Sequence, residues 1–324
     1  MNRREFLRKT TVGAASISVA NSLFSLRAVN LVAAPKDDLL LPRRVLGKTG
    51  VRVSQLAFGS GSRFMMYETE EKALTALTWA LDHGINYVDT AHDYGKGESE
   101  RRIGMLMKER RNQVFLVTKL GSRDTDEFLK QFELSLKRLQ TDQVDLLHLH
   151  SLGKMDDVDK IGEKGGVYET VCRLKEQKAT RFIGFTSHTD GSAAKVAVDR
   201  FDFDCCMMQL NPSKAGGFED ITLPAALSKK MGVVAMKVTA QEKLLGSGSG
   251  KAEVQDLLRY ALSLPVAAAN VGMPTIEMLK QNLEIAKDFR PLSAPESKQL
   301  QDRLGVSRAG LENFFRQHRD VHCA

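Results

Sequence analysis

Eight short apolar runs alternate with helical patterns along most of the chain, and this alternation constrains the fold more than any other feature. Each run has the length and composition of a buried strand. Strands that are separated by helices need crossover connections and therefore form a parallel sheet. The runs cover residues 55–58, 85–89, 114–119, 144–150, 181–186, 203–210, 233–237 and 266–271.

Eight strand–helix units fit the closed (β/α)8 barrel, the α/β fold known as the TIM barrel. The alternative is an open, doubly wound sheet that binds a dinucleotide at a G-x-G-x-x-G turn. No such motif follows an early strand, and the Gly-Ser-Gly at residues 59–61 is too weak a match by itself. The closed barrel is therefore the predicted fold.

The remaining segments are arranged around this barrel. Residues 43–54 alternate around a glycine-rich turn, which predicts a β-hairpin that closes the N-terminal end of the barrel. Near the C-terminus, a helix is predicted from about Pro295. The predicted parts are a targeting segment 1–34, a linker 35–42, the barrel 43–291 and a helical C-terminal extension 292–324.

The targeting segment resembles a twin-arginine export signal. Arg3 and Arg4 are followed by Phe-Leu and further basic residues, and then by a weakly hydrophobic stretch rich in Ala and Ser. That stretch ends at Arg27 and is too short and polar for a stable membrane anchor. The resemblance implies the twin-arginine machinery as a partner and an extracytoplasmic, periplasmic location. The alternative is a disordered basic tail on a cytoplasmic protein.

The overall charge gives little support for a nucleic-acid partner. The formal net charge is +7, but residues 1–34 hold five cations and one anion, so the remainder carries 7 − 4 = +3. The cysteines, at positions 172, 205, 206 and 323, include no CxxC pair, which argues against a zinc ribbon or an iron–sulfur cluster. We therefore expect neither a nucleic-acid partner nor a metal site.

Polar side chains stand at or just after the ends of three consecutive predicted strands, at Asp89, Tyr94, Lys119 and His150. The carboxyl ends of barrel strands meet at one mouth, where catalytic groups of this fold lie. A lysine buried at a strand end needs an anion, and Asp89 on the neighbouring strand is the obvious partner. A free tyrosine ionises near pH ~10, and an adjacent ammonium lowers that value. Tyr94 therefore becomes a usable general acid or base.

The order of these residues, together with two stretches of sequence, resembles the aldo-keto reductases. The stretches are RRVLGKTGVRVSQLAFG, which begins at Arg43, and DTAHDYG, and the likeness extends to about residue 290. The resemblance implies hydride transfer between NAD(P)H and a small carbonyl or alcohol substrate. The implied roles are proton transfer by Tyr94, tuning of Tyr94 by Lys119 and Asp89, and orientation of the carbonyl by His150.

The same resemblance implies positions that hold the nicotinamide end of the cofactor. Thr186 and Ser187 follow strand five, and Gln209 ends strand six; these would hold the carboxamide. In many members of the family Ser-Asn follows strand five, so only part of the family's carboxamide-binding site is expected in this chain. Met236, followed by Lys237, stands where an aromatic residue usually stacks on the nicotinamide ring.

The last strand and helix resemble the family's adenosine-phosphate site. Gly272 and Met278 occupy positions where a lysine and an arginine often clamp a 2′-phosphate, so NAD and NADP both remain open. Lys280 is a possible substitute, although it can equally be a solvated helix lysine. The implied adenosine-side positions are Gly272, Met273, Thr275, Met278, Gln281 and Asn282.

Two alternative functions come from different classes of protein. His148 and His150 lie two apart on one strand and hence on one face, as in metal-dependent barrel hydrolases, and His92 and His188 can be drawn near the same mouth. That hypothesis leaves the Asp-Tyr-Lys set unexplained. The other alternative is a non-catalytic nicotinamide-binding sensor or partner subunit.

Export would separate a reductase from the ordinary supply of reduced nicotinamide. The twin-arginine route carries folded proteins, which can retain a bound cofactor. We therefore hypothesise a tightly held cofactor that is recycled within each catalytic cycle by transient oxidation and re-reduction of a sugar-like substrate, or re-reduced by a partner. The protein is expected to act as a monomer, as most members of the family do.

Overall fold

The computed structural model describes residues 41–317 of the chain. The predicted export segment, most of the predicted linker and residues 318–324 lie outside the described residues. The strands are β1 (Arg43–Val45), β2 (Arg52–Ser54), β3 (Leu56–Gly59), β4 (Tyr87–Asp89), β5 (Phe115–Leu120), β6 (Val144–Leu149), β7 (Thr180–Ser187), β8 (Cys205–Gln209), β9 (Gly232–Met236) and β10 (Ala268–Gly272).

Strands β3 to β10 form a closed parallel barrel in chain order, and β10 hydrogen-bonds back to β3. The predicted (β/α)8 fold is confirmed, whereas an open doubly wound sheet would leave two unpaired edge strands. Each predicted apolar run overlaps one barrel strand, with ends that differ by at most two residues. The carboxyl ends of all eight strands therefore meet at one mouth.

Helices follow the strands and cover the outside of the barrel. They are α1 (Ser62–Met65), α2 (Glu70–Asp82), α3 (Glu98–Arg110), α4 (Thr125–Arg138), α5 (Met155–Ile161), α6 (Val167–Glu176), α7 (Gly191–Arg200), α8 (Phe218–Ser228), α9 (Val254–Ser263), α10 (Ile276–Lys287), α11 (Ala294–Gly305) and α12 (Arg308–Gln317).

Several of these helices begin at a residue whose side chain accepts a hydrogen bond from the first turn. Thr69 caps α2, Asp124 caps α4, Asp190 caps α7 and Thr275 caps α10. Such caps satisfy backbone N–H groups that the helix itself leaves without a partner. They also set the point where each loop at the mouth ends. No helix in the range 41–317 is long and apolar enough to cross a membrane.

The hairpin of β1 and β2 closes the N-terminal end of the barrel, as predicted. Leu46 and Val53 are fully buried and belong to the cluster that fills the barrel interior. The turn lies against the start of β9, because the Lys48 N–H donates to the Lys230 carbonyl at 2.6 Å. Gly47 has a φ of +49°, and a side chain there would lie 2.3 Å from the Gly232 nitrogen. Only glycine fits that close approach.

Side chains along each barrel strand point alternately inward and toward the helices. In β5, Phe115 and Val117 belong to the inner cluster, while Leu116 belongs to the cluster between strands and helices. Lys119 continues the inward series at the carboxyl end of the same strand. The barrel therefore has an apolar interior toward its N-terminal end and charged side chains at its mouth.

The C-terminal extension returns to the mouth of the barrel. It begins with a capping box at Ser293 and Glu296, and Pro295 lies in the first turn of α11, close to the predicted start. In α12, Glu312 accepts a hydrogen bond from the Gly216 N–H at 3.2 Å, and Phe315 is buried. The extension thus packs against the loops that follow β7 and β8.

Candidate active site

The Lys119 ammonium lies at the barrel mouth and has three partners. Its Nζ lies 2.8 Å from Asp89 Oδ2, 2.8 Å from the Thr90 carbonyl oxygen and 3.3 Å from the Tyr94 hydroxyl oxygen. An ammonium has three hydrogens, so these contacts can use all of them. Asp89 and Lys119 are each about 1% exposed, and charges buried to this degree are tolerated only when paired. The pair directs the ammonium at the phenol of Tyr94.

Tyr94 begins a tight turn in which the next three residues have left-handed backbones. The φ values are +57° at Gly95, +56° at Lys96 and +93° at Gly97. The turn reverses the chain directly after Tyr94 and leads it into α3. The φ at Gly97 favours glycine, and a side chain there would lie 2.2 Å from Arg138 Cζ, so the guanidinium would have to move.

His150 follows β6 and completes the group of four. Its ring centroid lies 5.8 Å from that of Tyr94, and the two rings are nearly perpendicular, at 78°. Arg123 donates to the His150 carbonyl oxygen at 2.7 Å and so holds the backbone at this point. His150 is buried while Tyr94 is half-buried, so the phenol remains accessible from the mouth. The structure thus brings all four predicted catalytic side chains together.

His148 lies inside the barrel, below the mouth. It pairs in register with Lys119 on one side and with Gly184 on the other, and a side chain at Gly184 would lie 2.7 Å from His148 Nδ1. Neither ring nitrogen has a hydrogen-bond partner among the described residues. Burial, together with the charge of Lys119 and the nearby His150, holds the pKa of His148 well below its ordinary value. His148 is therefore an uncharged interior side chain.

The metal-site hypothesis places His92 and His188 near His148 and His150, but in the structure these two histidines have other neighbours. His92 Nδ1 lies 3.2 Å from Ser135 Oγ and 3.4 Å from Arg138 Nη1, both on α4. The His188 ring lies 5.9 Å from that of Phe315 in α12. Across residues 41–317, no group of three or more His, Cys, Asp or Glu side chains is arranged to hold a metal ion.

A cleft of about 320 Å³ opens beside the predicted catalytic residues. Its walls come from the loops after β3 and β9 and from the start of α10, and Asp89 and Tyr94 are part of its lining. Six of the predicted cofactor positions line this cleft, namely Met236, Lys237, Gly272, Met278, Gln281 and Asn282.

The predicted carboxamide-binding residues lie at the ends of β7 and β8 and are all buried. Thr186 Oγ1 accepts from the Ser151 N–H at 2.8 Å, and Ser187 Oγ donates to the Leu152 carbonyl at 2.6 Å. Both hydroxyls therefore hold the loop after β6. Gln209 Oε1 is buried without a hydrogen-bond partner among the described residues. None of the three side chains is part of the cleft lining.

Two of the predicted adenosine-side positions support the backbone of the site. Met273 is about 2% exposed and belongs to the core between strands and helices. Thr275 accepts from the Met278 N–H at 3.2 Å and caps α10. Their side chains shape the start of α10, and neither is part of the cleft lining.

Sequence reasoning missed Asn270 as a site residue. Its Nδ2 donates to Asp89 Oδ2 at 2.8 Å, so Asp89 accepts from both Lys119 and Asn270. The signal was present, since Asn270 is the polar residue in the apolar run Ala268-Ala269-Asn270-Val271, and a buried amide needs a partner. The partner itself was not readable, because β10 meets β4 only across β3 in the closed barrel.

The ion pair between Arg63 and Glu242 was also missed. Arg63 Nε lies 3.0 Å from Glu242 Oε1, which joins the loops after β3 and β9, and both residues line the cleft. A side chain at Gly272 would lie 2.8 Å from Arg63 Cγ, so Arg63 fills the space that a lysine at 272 would need. No sequence pattern links residues so far apart in the chain.

The loop after β9 is also anchored to the C-terminal extension. The Gly250 N–H donates to the Arg303 carbonyl at 3.2 Å. Lys243 Nζ lies 4.2 Å from the Phe314 ring centroid, and Lys237 Nζ lies 5.7 Å from that of Phe315. The extension therefore braces one wall of the cleft.

The closed barrel, which carries a tyrosine beside a buried lysine at its carboxyl mouth, places the chain in the (β/α)8 class of proteins. The model of the aldo/keto reductase family matches residues 55–257. The chain belongs to this family.

Known relatives resemble between 44% and 86% of the chain. An uncharacterized oxidoreductase of Bacillus subtilis, YqkF, is 28% identical over 323 residues, covering 86% of this chain and 99% of that protein. The L-galactose dehydrogenase of Arabidopsis thaliana is 33% identical over 159 residues, covering 44% of this chain and 47% of that protein. The aldo-keto reductase AKR11C1 of Bacillus halodurans, solved in a holo form, is 27% identical with a TM-score of 0.68, covering 81% of this chain and 96% of that chain. These relatives support oxidoreductase activity.

Proposed function

We propose that the protein is an NAD(P)-dependent oxidoreductase that transfers a hydride between a nicotinamide and a carbonyl or alcohol carbon. The observation that carries this proposal is the 3.3 Å contact between Lys119 Nζ and the Tyr94 hydroxyl, made by an ammonium that is also paired with Asp89. A phenol in bulk water is too weak an acid to exchange protons readily near neutral pH. The adjacent ammonium stabilises the phenolate and makes the exchange accessible.

The chain's own residues then act on the substrate oxygen. In reduction, Tyr94 donates its hydroxyl proton to the carbonyl oxygen, and Lys119 stabilises the phenolate that remains. In oxidation, the same phenolate accepts the alcohol proton. His150, whose ring lies beside that of Tyr94, donates a hydrogen bond to the same oxygen and orients the carbonyl. Asp89 holds the ammonium in place throughout.

The residues of the cleft fit a nicotinamide cofactor, which supplies or accepts the hydride when bound. Gln209 does not line the cleft but pairs in register with Met236, which does. Its buried Oε1 is an acceptor suited to the carboxamide amino group, since a buried acceptor left without a donor is costly. Met236 offers an apolar surface at the cleft for the ring. Gln281 and Asn282 line the cleft on α10, whose N-terminus favours a phosphate.

Cofactor binding and carbonyl reduction test this proposal. The purified full chain is titrated with NADH and with NADPH by fluorescence, and cofactor oxidation is then followed with a panel of small aldehydes, ketones and sugars. We expect saturable binding and production of the alcohol. Binding without turnover in either direction would favour a sensor or partner subunit. Stoichiometric metal, with ester hydrolysis lost to a chelator, would favour the barrel hydrolase.

We further propose that the protein is exported by the twin-arginine machinery and retains its cofactor outside the cytoplasm. Arg3 and Arg4, with the weakly apolar stretch that follows them, support the route. The likeness to an aldo-keto reductase solved in a holo form supports a bound cofactor. The likeness to an L-galactose dehydrogenase supports a sugar-like substrate that can be oxidised and re-reduced in one cycle.

Replacing Arg3 and Arg4 together by lysine is expected to move the protein from the periplasmic to the cytoplasmic fraction of a bacterial host, because the paired arginines are the part that the machinery reads. Arg8→Lys is the matched control and should leave the distribution unchanged. Denaturation of the exported protein should release nicotinamide in roughly equimolar amount. An exported protein that releases none would contradict cofactor retention, and a wild-type protein found only in the cytoplasm would contradict export.

A further inference from the structure

A partly buried ion pair behind the mouth joins the two chain segments that carry Tyr94 and Lys119. Glu100 lies in the first turn of α3 and is fully buried, and Arg138 is the last residue of α4. Arg138 Nη1 lies 3.4 Å from Glu100 Oε2. The pair lies outside the cleft lining and on the outer side of the strands, so it touches no position where the substrate or the cofactor would react.

One oxygen of Glu100 holds the strand that carries Lys119. Thr118 Oγ1 donates to Glu100 Oε1 at 2.7 Å, and both side chains are fully buried. Thr118 immediately precedes Lys119. Since side chains alternate along a strand, Thr118 points toward α3 while Lys119 points into the barrel. Glu100 therefore fixes the end of β5 from outside.

The other oxygen of Glu100 acts, through Arg138, on the loop that carries Tyr94. Arg138 Nη1 donates to the His92 carbonyl oxygen at 3.0 Å, two residues before Tyr94. The same guanidinium fills the space beside Gly97, where a side chain would lie 2.2 Å from Arg138 Cζ. Arg138 thus contacts the loop on both sides of Tyr94.

We propose that the Glu100–Arg138 pair is a positioning device that sets the contact between the Tyr94 hydroxyl and the Lys119 ammonium. The turn after Tyr94 runs through left-handed residues, including Lys96, and such a backbone persists only when its surroundings hold it. Without the guanidinium, the loop relaxes and the phenol moves away from the ammonium. The kinetic consequence rests on the proposed oxidoreductase function, whereas the geometric one does not.

Arg138→Met removes the donor to the His92 carbonyl and leaves Glu100 without its cation. We expect kcat to fall by about 100-fold, the loss that a displacement of about 1 Å at a reacting centre can cause. The dissociation constant of the nicotinamide should change little, because its proposed contacts lie elsewhere. Arg138→Lys, which keeps a cation near Glu100, should recover part of kcat.

A second readout does not require turnover. The ionisation of Tyr94 is followed by ultraviolet difference absorbance, each protein being compared with its own Tyr94→Phe version. Lys119, with Asp89 behind it, and His150 contact Tyr94, and all three are kept. Tyr94 should therefore ionise at a higher pH in Arg138→Met than in the wild type, because the ammonium lies farther from the phenolate. Glu100→Gln should shift the ionisation in the same direction by a smaller amount.

The matched control is the pair of Arg111 and Asp145 near the N-terminal end of the barrel. Arg111 Nη1 lies 2.8 Å from Asp145 Oδ2, and that carboxylate also accepts from the Leu116 N–H at 2.8 Å, as Glu100 accepts from a strand. Arg111→Met should lower the melting temperature by less than Arg138→Met, because Asp145 keeps Arg181 Nη1 at 2.5 Å, and it should leave kcat and the Tyr94 ionisation unchanged.

The outcomes separate the inference from the proposed function. If Arg138→Met behaves like Arg111→Met, with wild-type kcat and Tyr94 ionisation, the pair only stabilises the fold and the inference is wrong. If the wild type shows no turnover, the proposed function fails, while the ionisation titration still decides whether Arg138 positions Tyr94. If Arg138→Met does not fold, Glu100→Gln and Arg138→Lys undergo the same titration with the same criteria.

Discussion

Tyr94→Phe is expected to lower kcat for carbonyl reduction by about 10²- to 10⁴-fold, the contribution typical of a positioned general acid. The substitution removes only the hydroxyl that lies 3.3 Å from Lys119 Nζ, while the ring remains next to His150. The dissociation constant of the nicotinamide should therefore stay close to that of the wild type. Steady-state kinetics and a fluorescence titration of the same preparation measure the two quantities.

The matched control for Tyr94→Phe is Tyr67→Phe. The Tyr67 hydroxyl is buried without a hydrogen-bond partner among the described residues, and burial, with a contribution from Glu277, raises the pKa of Tyr67 to about 12. That phenol does not line the cleft, so its removal should leave kcat unchanged. Unchanged turnover in Tyr94→Phe would instead show that another group delivers the proton.

Lys119→Met is expected to lower the free energy of unfolding by about 3–5 kcal/mol, the loss typical when one partner of a buried ion pair is removed. Asp89 is about 1% exposed, and the substitution leaves its carboxylate in the barrel without a cation. Turnover should also be abolished, because the ammonium that stabilises the Tyr94 phenolate is gone. Urea unfolding measures the stability, and cofactor oxidation measures the turnover.

A double-mutant cycle makes this prediction specific. Adding Asp89→Leu to Lys119→Met removes the uncompensated charge, so the double variant should be more stable than the sum of the two single losses predicts. The comparison pair is Lys72 and Glu68 on the surface, whose side chains are 61% and 77% exposed. Lys72→Met should cost no more than about 0.5 kcal/mol. Equal losses at the buried and exposed lysines would refute a buried, structurally necessary ion pair.

The barrel was predictable because its signals are local. A run of apolar residues between polar ones predicts a strand such as β5. Phe128 and Phe132, which lie on one face, predict a helix such as α4. Counting eight such units and finding no dinucleotide fingerprint selects the closed barrel. The predicted ends of the strands differ from the observed ends by up to two residues, because the flanking residues have no strong preference for strand or loop.

The catalytic group was predictable for a related reason. In a parallel barrel, residues at the carboxyl ends of neighbouring strands are neighbours in space, so Asp89, Lys119 and His150 had to meet. The cofactor positions depended on a finer property, the direction of each side chain and the partners available to it. Thr186 and Ser187 are predicted at the carboxamide, and the structure adds that their hydroxyls hold the loop after β6; their contact with the cofactor stays a prediction.

By itself, the sequence determined the strand–helix alternation, the closed barrel and the convergence of Asp89, Tyr94, Lys119 and His150, because these follow from side-chain periodicity and chain order. Only the tertiary structure decided that Asn270 shares Asp89 with Lys119, that Arg63 pairs with Glu242 across the cleft, and that Arg138 holds the Tyr94 loop. These contacts join elements far apart in the chain. They depend on barrel register and on side-chain rotamers, and no local pattern encodes either.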